Sequence, residues 1–189
     1  MSGATGRRWW RRNWWGLAAI APLLAAAFLV SPDDSFQMLR DEHTERVVSP
    51  GADGWASYGP GRLRLAGFGP AELFDSAGEP FQRPGLTAYQ ATLVVDAPGD
   101  GQALLGCAIE LEDVDGRRYP DAPAALGSAR NAAGDGVYTS NCSLPYDAEE
   151  GQTTFETTAY FLLPSSGQPA ALRVSHYEQA PAYVRFELG

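Results

Sequence analysis

Residues 62–188 carry a series of short stretches in which apolar and polar side chains alternate. In the stretch LLGCAIELEDV, Ile109 and Leu111 fall on one face of an extended chain, whereas Glu110 and Glu112 fall on the other. A period of two indicates a half-buried β-strand, and clusters of Gly, Pro, Asn and Asp between such stretches indicate turns. We count seven to nine strands of this kind.

Helical patterns of about 10 to 15 residues are absent between these strands. Parallel β-α-β units need such helices, so an antiparallel sandwich or a small barrel is left. The sandwich is the more common of these two architectures. We therefore predict an all-β fold, an antiparallel β-sandwich of seven to nine strands, behind one N-terminal transmembrane helix.

The transmembrane helix is predicted from residues 14–30, WWGLAAIAPLLAAAFLV, which are seventeen residues without a charge. A helix that spans a bilayer needs about 17 to 25 such residues. Arginines and tryptophans are interleaved ahead of the run and at its start: Arg7, Arg8, Trp9, Trp10, Arg11, Arg12, Trp14 and Trp15. Positive residues stay on the cytoplasmic side, and Trp rings prefer the membrane interface. We predict a single-pass plasma-membrane anchor with a cytoplasmic N-terminus and an extracellular C-terminal domain.

The same segment has a second interpretation, a cleaved signal peptide. A basic start, an apolar stretch and the small residues Ala25 and Ala27 are typical of one. The apolar run continues through residues 28–30, where a signal peptide turns polar, and this favours retention of the helix. A twin-arginine signal at Arg11 and Arg12, and a buried helix of a soluble domain, are further alternatives. Cleavage would make the protein secreted.

These features divide the chain into four parts: a basic, Trp-rich cytoplasmic tail at 1–13, the transmembrane helix at 14–30, a stalk at 31–60 and the β-sandwich domain at 61–189. The stalk is predicted because the sequence SPGADG breaks regular structure. Domains commonly have about 100 to 150 residues. The chain therefore has room for one domain and an additional segment.

Charge is distributed unevenly along the chain. The formal net charge is -9, but four arginines and no acidic residue precede the apolar run, and the remainder has ten arginines against 23 acidic residues. Nucleic-acid binding depends on basic side chains that displace counterions from phosphates. We expect no nucleic-acid partner. The expected partners are the membrane and another protein of the cell envelope.

Cys107 and Cys142 are the only two cysteines in the sequence. Two are too few for a zinc site made of cysteines alone, and they lack the close spacing of a metal or redox pair. They lie on different predicted strands of a domain outside the cell, where thiols are oxidised. We predict a disulfide that stabilises the fold by about 4 kcal/mol in the chain-entropy model.

The order of these motifs resembles a known family. The motifs are two strand-borne cysteines, a D-x-D-G turn, an F-x-L-P motif and a P-x-x-L-x-V motif: Cys107, Cys142, Asp113, Asp115, Gly116, Phe161, Leu163, Pro164, Pro169, Leu172 and Val174. Over about residues 60–188, the sequence is similar to the telokin-like, immunoglobulin-like domains of uncharacterised secreted and membrane-anchored Gram-positive bacterial proteins. The resemblance implies an immunoglobulin-like sandwich and no reaction. The chain differs from animal immunoglobulin domains because no Trp lies between its cysteines.

Sequence motifs of common catalytic sites are absent. The chain has no G-x-S-x-G motif, no H-E-x-x-H motif, no phosphate-binding loop and no lysine. Its histidines are His43 and His176, and a lone His on a strand is more often a structural residue than a base. We expect no enzymatic activity and no cofactor. An envelope hydrolase that uses His176 is the least favoured alternative.

Acidic residues provide two candidate sites. Asp113, Asp115 and Asp121 resemble the beginning of a Ca²⁺ loop, because hard cations prefer several carboxylate oxygens. An ordinary Asp-Gly hairpin turn is the alternative. Glu110 and Glu112 share one strand face and are a candidate carboxylate pair for glycoside cleavage, with a solvated strand face as the alternative.

Five aromatic residues between positions 55 and 81 are a candidate binding patch, with ordinary packing as the alternative: Trp55, Tyr58, Phe68, Phe74 and Phe81. Without a catalytic motif, the leading hypothesis is a non-enzymatic protein-interaction or accessory module of the cell envelope. Its exposed edge strands or loops would contact another envelope protein. The alternative is a small-ligand or Ca²⁺-binding domain that uses residues 110–121.

Overall fold

The alternating stretches of the sequence are β-strands in the computed structural model of the protein. The structure describes residues 45–98, 104–140, 142–145, 148–149 and 151–189. The described residues form nine strands: β1 (Arg46–Val48), β2 (Trp55–Tyr58), β3 (Gly61–Pro70), β4 (Leu86–Asp96), β5 (Ala108–Asp113), β6 (Arg118–Pro120), β7 (Thr154–Pro164), β8 (Pro169–Ser175) and β9 (Ala182–Glu187). They also form two short 3-10 helices, Ala124–Leu126 and Tyr177–Gln179.

The strands form two sheets. One sheet has five strands in the order β1-β9-β8-β5-β6, and the other has four strands in the order β2-β3-β4-β7. Neighbouring strands are antiparallel except β1 and β9, which are parallel. The predicted all-β, antiparallel sandwich is confirmed. Seven of its strands, β3 to β9, lie in the part of the chain where the alternation predicts seven to nine.

The two sheets share one apolar core. Leu63 and Leu93 enter it from the four-stranded sheet, and Leu111 and Leu172 enter it from the five-stranded sheet, each with no exposed surface. Burying a leucine side chain contributes roughly 1.5–3 kcal/mol before entropy is counted. The inward residues of the alternating pattern therefore hold the sheets together.

A disulfide joins Cys107, directly before β5, to Cys142. Their Cα atoms are 5.6 Å apart, and 35 positions separate them in sequence. Both cysteines are buried in the core. The predicted disulfide is confirmed, and it ties the segment between β6 and β7 to the start of β5.

The stalk predicted for residues 31–60 differs from the structure over residues 45–60. There β1 and β2 are edge strands of the two sheets, and Ala56 and Tyr58 of β2 are buried in the core. The SPGADG sequence forms the connection between them, where Gly51 N–H donates to the Trp55 carbonyl oxygen at 2.9 Å. The sandwich therefore begins by Arg46. The SPGADG sequence is therefore a turn within the sandwich domain, because the strands on both sides of it belong to the two sheets.

Residues 1–44 lie outside the described residues, and so do the predicted cytoplasmic tail and the transmembrane segment at 14–30. Of the helices in the described ranges, none is long and apolar enough to cross a membrane.

Residues 71–85 and 121–140 cover part of the outer face of the four-stranded sheet, and we call these two segments the outer layer. They form a second apolar cluster in which Leu73, Leu126 and Val137 pack with Leu162 of β7. Most of its second segment coincides with the Gly-, Ala- and Pro-rich stretch at 120–136, for which the sequence predicts a surface loop. Leu126 has no exposed surface, so this loop also has a packing function.

Candidate binding groove

The outer layer leaves a groove at one end of the four-stranded sheet. Its volume is about 390 Å³. Residues of the outer layer form one wall, and the ends of β3, β4 and β7 supply the remaining lining: Pro70, Ala71, Phe81, Gln82, Arg83, Pro84, Leu86, Thr87, Ala88 and Leu162. Ligand sites commonly have volumes of about 300 to 1,000 Å³, a range that includes the volume of this groove. The groove is therefore the leading candidate site within the described ranges.

The local sequence FQRPGL builds the outer wall of the groove. The Phe81 N–H donates to the Leu73 carbonyl oxygen at 2.8 Å, which fixes the start of the wall. The Leu86 N–H donates to the Arg83 carbonyl oxygen at 3.0 Å, which closes a turn. Gly85 in this turn has a φ of 77°, a left-handed conformation that glycine adopts without steric cost. The turn sends the chain back into β4 and leaves the groove between wall and sheet.

The floor of the groove is apolar. Ala88 of β4 and Leu162 of β7 are neighbours in the sheet register, and both contribute to the cluster beneath the outer layer. Leu86 lies beside them and is 39% exposed. Water at a concave apolar surface of this kind is released when an apolar group binds, which favours binding.

Arg83 is the one charged side chain among the lining residues. Its guanidinium carbon lies 5.5 Å from the ring centroid of Phe81, and its Nη2 donates to the Ala125 carbonyl oxygen at 3.3 Å. Residues 45–189 contain nine arginines and nineteen acidic residues, a formal net charge of -10. The groove therefore combines an apolar floor with one oriented cation on an acidic domain.

Asp113, in the predicted acidic turn, organises a hairpin. Its Oδ1 accepts the N–H groups of Asp115 and Arg117, both at 2.9 Å, and its Oδ2 accepts the Tyr119 hydroxyl at 2.9 Å. Burial raises the pKa of Asp113, but these hydrogen bonds outweigh it and hold the pKa below its usual value. Asp115 is exposed and pairs with Arg117 at 3.1 Å. This geometry is that of the alternative, an Asp-Gly hairpin turn.

Asp121 lies at the other end of the β5–β6 pair. Its N–H donates to the Ile109 carbonyl oxygen, four residues or roughly 13 Å along β5 from Asp113. Its buried carboxylate accepts the N–H groups of Ser140 and Tyr160, so it ties the outer layer to β7. Burial raises the pKa of Asp121 to about 6, against the lowering effect of these bonds. Within the described ranges, no three His, Cys, Asp or Glu side chains are grouped closely enough to hold a metal ion.

His176 is buried and has a structural role. Its Nε2 lies 2.9 Å from the Leu105 carbonyl oxygen and donates to it, whereas its Nδ1 accepts the Glu178 N–H at 3.3 Å. Its main-chain N–H donates to the Tyr58 hydroxyl oxygen at 2.9 Å, and that hydroxyl donates to the Ala182 carbonyl oxygen at 2.8 Å. Both ring nitrogens are occupied by the main chain. The structure thus gives no geometric support to a hydrolase that uses His176.

Glu112 belongs to a network of ion pairs on the outer face of the five-stranded sheet. It pairs with Arg173 at 3.3 Å and with Arg185 at 3.0 Å. Glu45 pairs with Arg173 at 3.0 Å, and the hydrogen bond from Arg173 is the largest cause of the lowered pKa of Glu45. The geometry does not favour Glu110 and Glu112 as a catalytic pair, because two arginines already neutralise Glu112.

The five aromatic residues predicted as one patch separate in the structure. Tyr58 is a core residue, and Phe68 packs against the same core. Trp55 contacts two arginines of β3, and Phe74 forms bridges within the outer layer. Phe81 is the one member of the set that lines the groove.

The predicted membrane-interface residues lie outside the described residues: Arg7, Arg8, Trp9, Trp10, Arg11, Arg12, Trp14 and Trp15. The groove residues Arg83, Leu86 and Leu162 are not among the site residues that the sequence predicts. The signal that points to them is weak. It consists of an arginine between an aromatic residue and a Pro-Gly turn, and an apolar residue on the polar face of a strand pattern.

No protein-family model matches the chain, and a search of curated proteins found no match. Two solved structures are similar. An uncharacterized β-sandwich protein from Clostridium difficile 630 has a TM-score of 0.45 and 9% identity, over 77% of this chain and 96% of that chain. The secreted protein MPT63 from Mycobacterium tuberculosis has a TM-score of 0.38 and 14% identity, over 76% of this chain and 98% of that chain.

Proposed function

We propose that this protein is a membrane-anchored, extracytoplasmic and non-enzymatic binding module of the cell envelope. It contacts another envelope protein through the groove. The observation that carries the proposal is the groove itself, a concave surface with an apolar floor, an exposed leucine beside that floor and one cation in its wall.

The location outside the cell is supported by the disulfide and by the N-terminal sequence. Disulfides persist in oxidising compartments, and Cys107–Cys142 is buried in the core. The charge-free run at 14–30 with its arginine and tryptophan flank favours a retained anchor over a secreted form. We further propose that the domain is related to the telokin-like, immunoglobulin-like domains of Gram-positive envelope proteins. The basis is the order of the sequence motifs, the last of which, P-x-x-L-x-V, contains Leu172 and Val174.

The groove and the first described strand lie at different ends of the sandwich. The described chain enters the sandwich at β1, where Arg46 pairs with Ala182, close to the Tyr58 end of the four-stranded sheet. The groove lies at the Leu86 end of β4, ten residues or roughly 33 Å away. The groove is therefore far from the point where the described chain enters the sandwich.

A binding role agrees with how the polar side chains of the described residues are used. Asp113, Asp121 and His176 are buried and hydrogen-bonded to the main chain. These bonds stabilise turns and strand ends. The remaining feature, a groove with an apolar floor and one cation in its wall, is suited to recognition. A small apolar ligand is the second candidate, because the volume of about 390 Å³ also fits one.

Site-specific photocrosslinking in intact cells tests this proposal. The full-length chain carries a photoreactive amino acid either at Gln82, in the groove wall, or at Val114, an exposed position at the hairpin turn after β5 that is 63% exposed. We expect a discrete protein adduct from position 82 and none from position 114. Equal adducts at both positions, or none at position 82, would contradict the proposal.

A further inference from the structure

Building on that proposed function, we propose that the groove holds an extended segment of the partner protein in which an apolar side chain is adjacent to a single carboxylate. The apolar side chain packs on the floor formed by Ala88 and Leu162, beside Leu86. The carboxylate binds the guanidinium of Arg83. Arg83 is then the residue that determines specificity.

The apolar half of the inference rests on the floor and rim. Leu86 is 39% exposed, and Ala88, a floor residue, has a short side chain. A side chain that enters the groove therefore meets apolar atoms at the floor. Recognition segments commonly place one large apolar side chain in such a depression.

The acidic half rests on the donors of Arg83. A guanidinium has five N–H donors, and the Ala125 carbonyl oxygen uses one of them. None of the eight ion pairs of the described residues includes Arg83. The planar group is held beside Phe81, so little side-chain freedom is lost when a carboxylate binds it in a bidentate manner.

Charge limits the ligand to one carboxylate. The domain has a formal net charge of -10 over residues 45–189, so it repels a polyacidic segment at long range. A basic segment would meet Arg83 as the only lining charge and would be repelled locally. An apolar segment with one acidic residue and no other charge satisfies both conditions.

The open rim favours a peptide over a fatty acid, which has the same two chemical parts. Gln82, Arg83 and Pro84 are all exposed along the wall, so the groove is a trough rather than a tunnel. A long acyl chain would leave methylenes in water, and each loses about 0.8 kcal/mol relative to burial. A peptide has polar main-chain groups that remain solvated along an open trough.

The test is a selection of random heptapeptides displayed on phage against the full-length chain in mild detergent, followed by binding measurements with the selected synthetic peptides. Four variants are compared with the wild type. Arg83→Gln removes the cation, and Arg130→Gln is its control, since Arg130 is also exposed and also donates to a loop carbonyl, that of Gly134. Leu86→Glu blocks the floor, and Val47→Glu on β1 is its control at 48% exposure.

The wild type is expected to select peptides with one Asp or Glu next to an apolar residue. Arg83→Gln should weaken their binding by about 10- to 100-fold, the factor for a hydrogen bond to a charged group. Leu86→Glu should abolish binding, and both controls should bind as the wild type does. Thermal melting of each variant confirms that it is folded.

Three results would overturn the inference. The first is that the selected peptides lack acidic residues, or that they bind Arg83→Gln as tightly as they bind the wild type. The second is no selection at all while position 82 still crosslinks to a protein in cells, which leaves the proposed function standing and removes the peptide motif. The third is binding of a dansyl-labelled fatty acid to the wild type but not to Leu86→Glu, which identifies a lipid carboxylate as the occupant.

Discussion

Removal of the disulfide is the perturbation whose effect on stability follows most directly from the structure. Cys107 and Cys142 are separated by 35 positions. In the chain-entropy model, closing a loop of that length stabilises the folded state by about 4 kcal/mol at 25 °C. The double variant Cys107→Ala/Cys142→Ala leaves no buried thiol or hydroxyl, so the loss should be close to this figure, with a small addition for lost packing.

Urea unfolding of the full-length chain, followed by tryptophan fluorescence, measures this loss as a change in the free energy of unfolding. Calorimetry should show a fall in Tm of about 8 to 16 °C, since 1 kcal/mol corresponds to roughly 2–4 °C for a chain of this size. Wild-type protein treated with a reductant is the matched control and should lose a similar amount. A loss below about 1 kcal/mol would refute the reasoning, because the unfolded state would then gain little freedom when the bond is removed.

Three further perturbations have defined outcomes. Tyr58→Phe removes the hydroxyl that bridges His176 and Ala182, and it should cost about 2 to 4 kcal/mol in urea unfolding because two buried main-chain groups lose their partner. The pKa of Asp121 is raised to about 6 in the folded state from 3.8, so the folded state binds the proton more tightly. This contribution should stabilise the wild type as pH falls from 8 to 4, by up to about 3 kcal/mol, and pH titration of Asp121→Asn should show a smaller rise. Arg173→Met breaks the ion pairs with Glu45 and Glu112, and the main-chain amides of Arg46–Val48 should then exchange hydrogen faster than in the wild type. Unchanged exchange would mean that these ion pairs do not hold β1 in the sheet.

Much of the sandwich is predictable because strand alternation is a local signal. LTAYQATLVVDA corresponds to β4 (Leu86–Asp96), and TTFETTAYFLLP corresponds to β7 (Thr154–Pro164). The disulfide is predictable as well, since only two cysteines exist and both fall on inward positions. In each case a residue's neighbours in sequence carry the information.

The stalk boundary and the groove are harder to predict because they depend on contacts between distant residues. β1 is three residues long, and nothing in its own sequence identifies β9 as its parallel partner. Leu126 and Leu162 meet across 36 positions of sequence. Segments rich in Gly, Ala and Pro show no period, so their packing onto a sheet leaves little trace in the sequence.

The acidic turn shows a different limit of sequence reasoning. Clustered carboxylates indicate a cation site only if their oxygens are free, and sequence does not record hydrogen-bond partners. In the structure, Asp113 and Asp121 each accept main-chain N–H groups. The same residue types that suggest Ca²⁺ therefore cap a turn and anchor a loop.

The most direct test of a binding role for the groove is the yield of the crosslinked adduct from position 82 when a second substitution is added. Leu86→Glu places a charge beside the groove floor, whereas Val47→Glu places the same charge on an apolar site of the other sheet that is somewhat more exposed, 48% against 39%. We predict that Leu86→Glu reduces the adduct at least tenfold and that Val47→Glu leaves it unchanged. Equal yields from the two variants would contradict the account, because the partner would then be held somewhere other than in the groove.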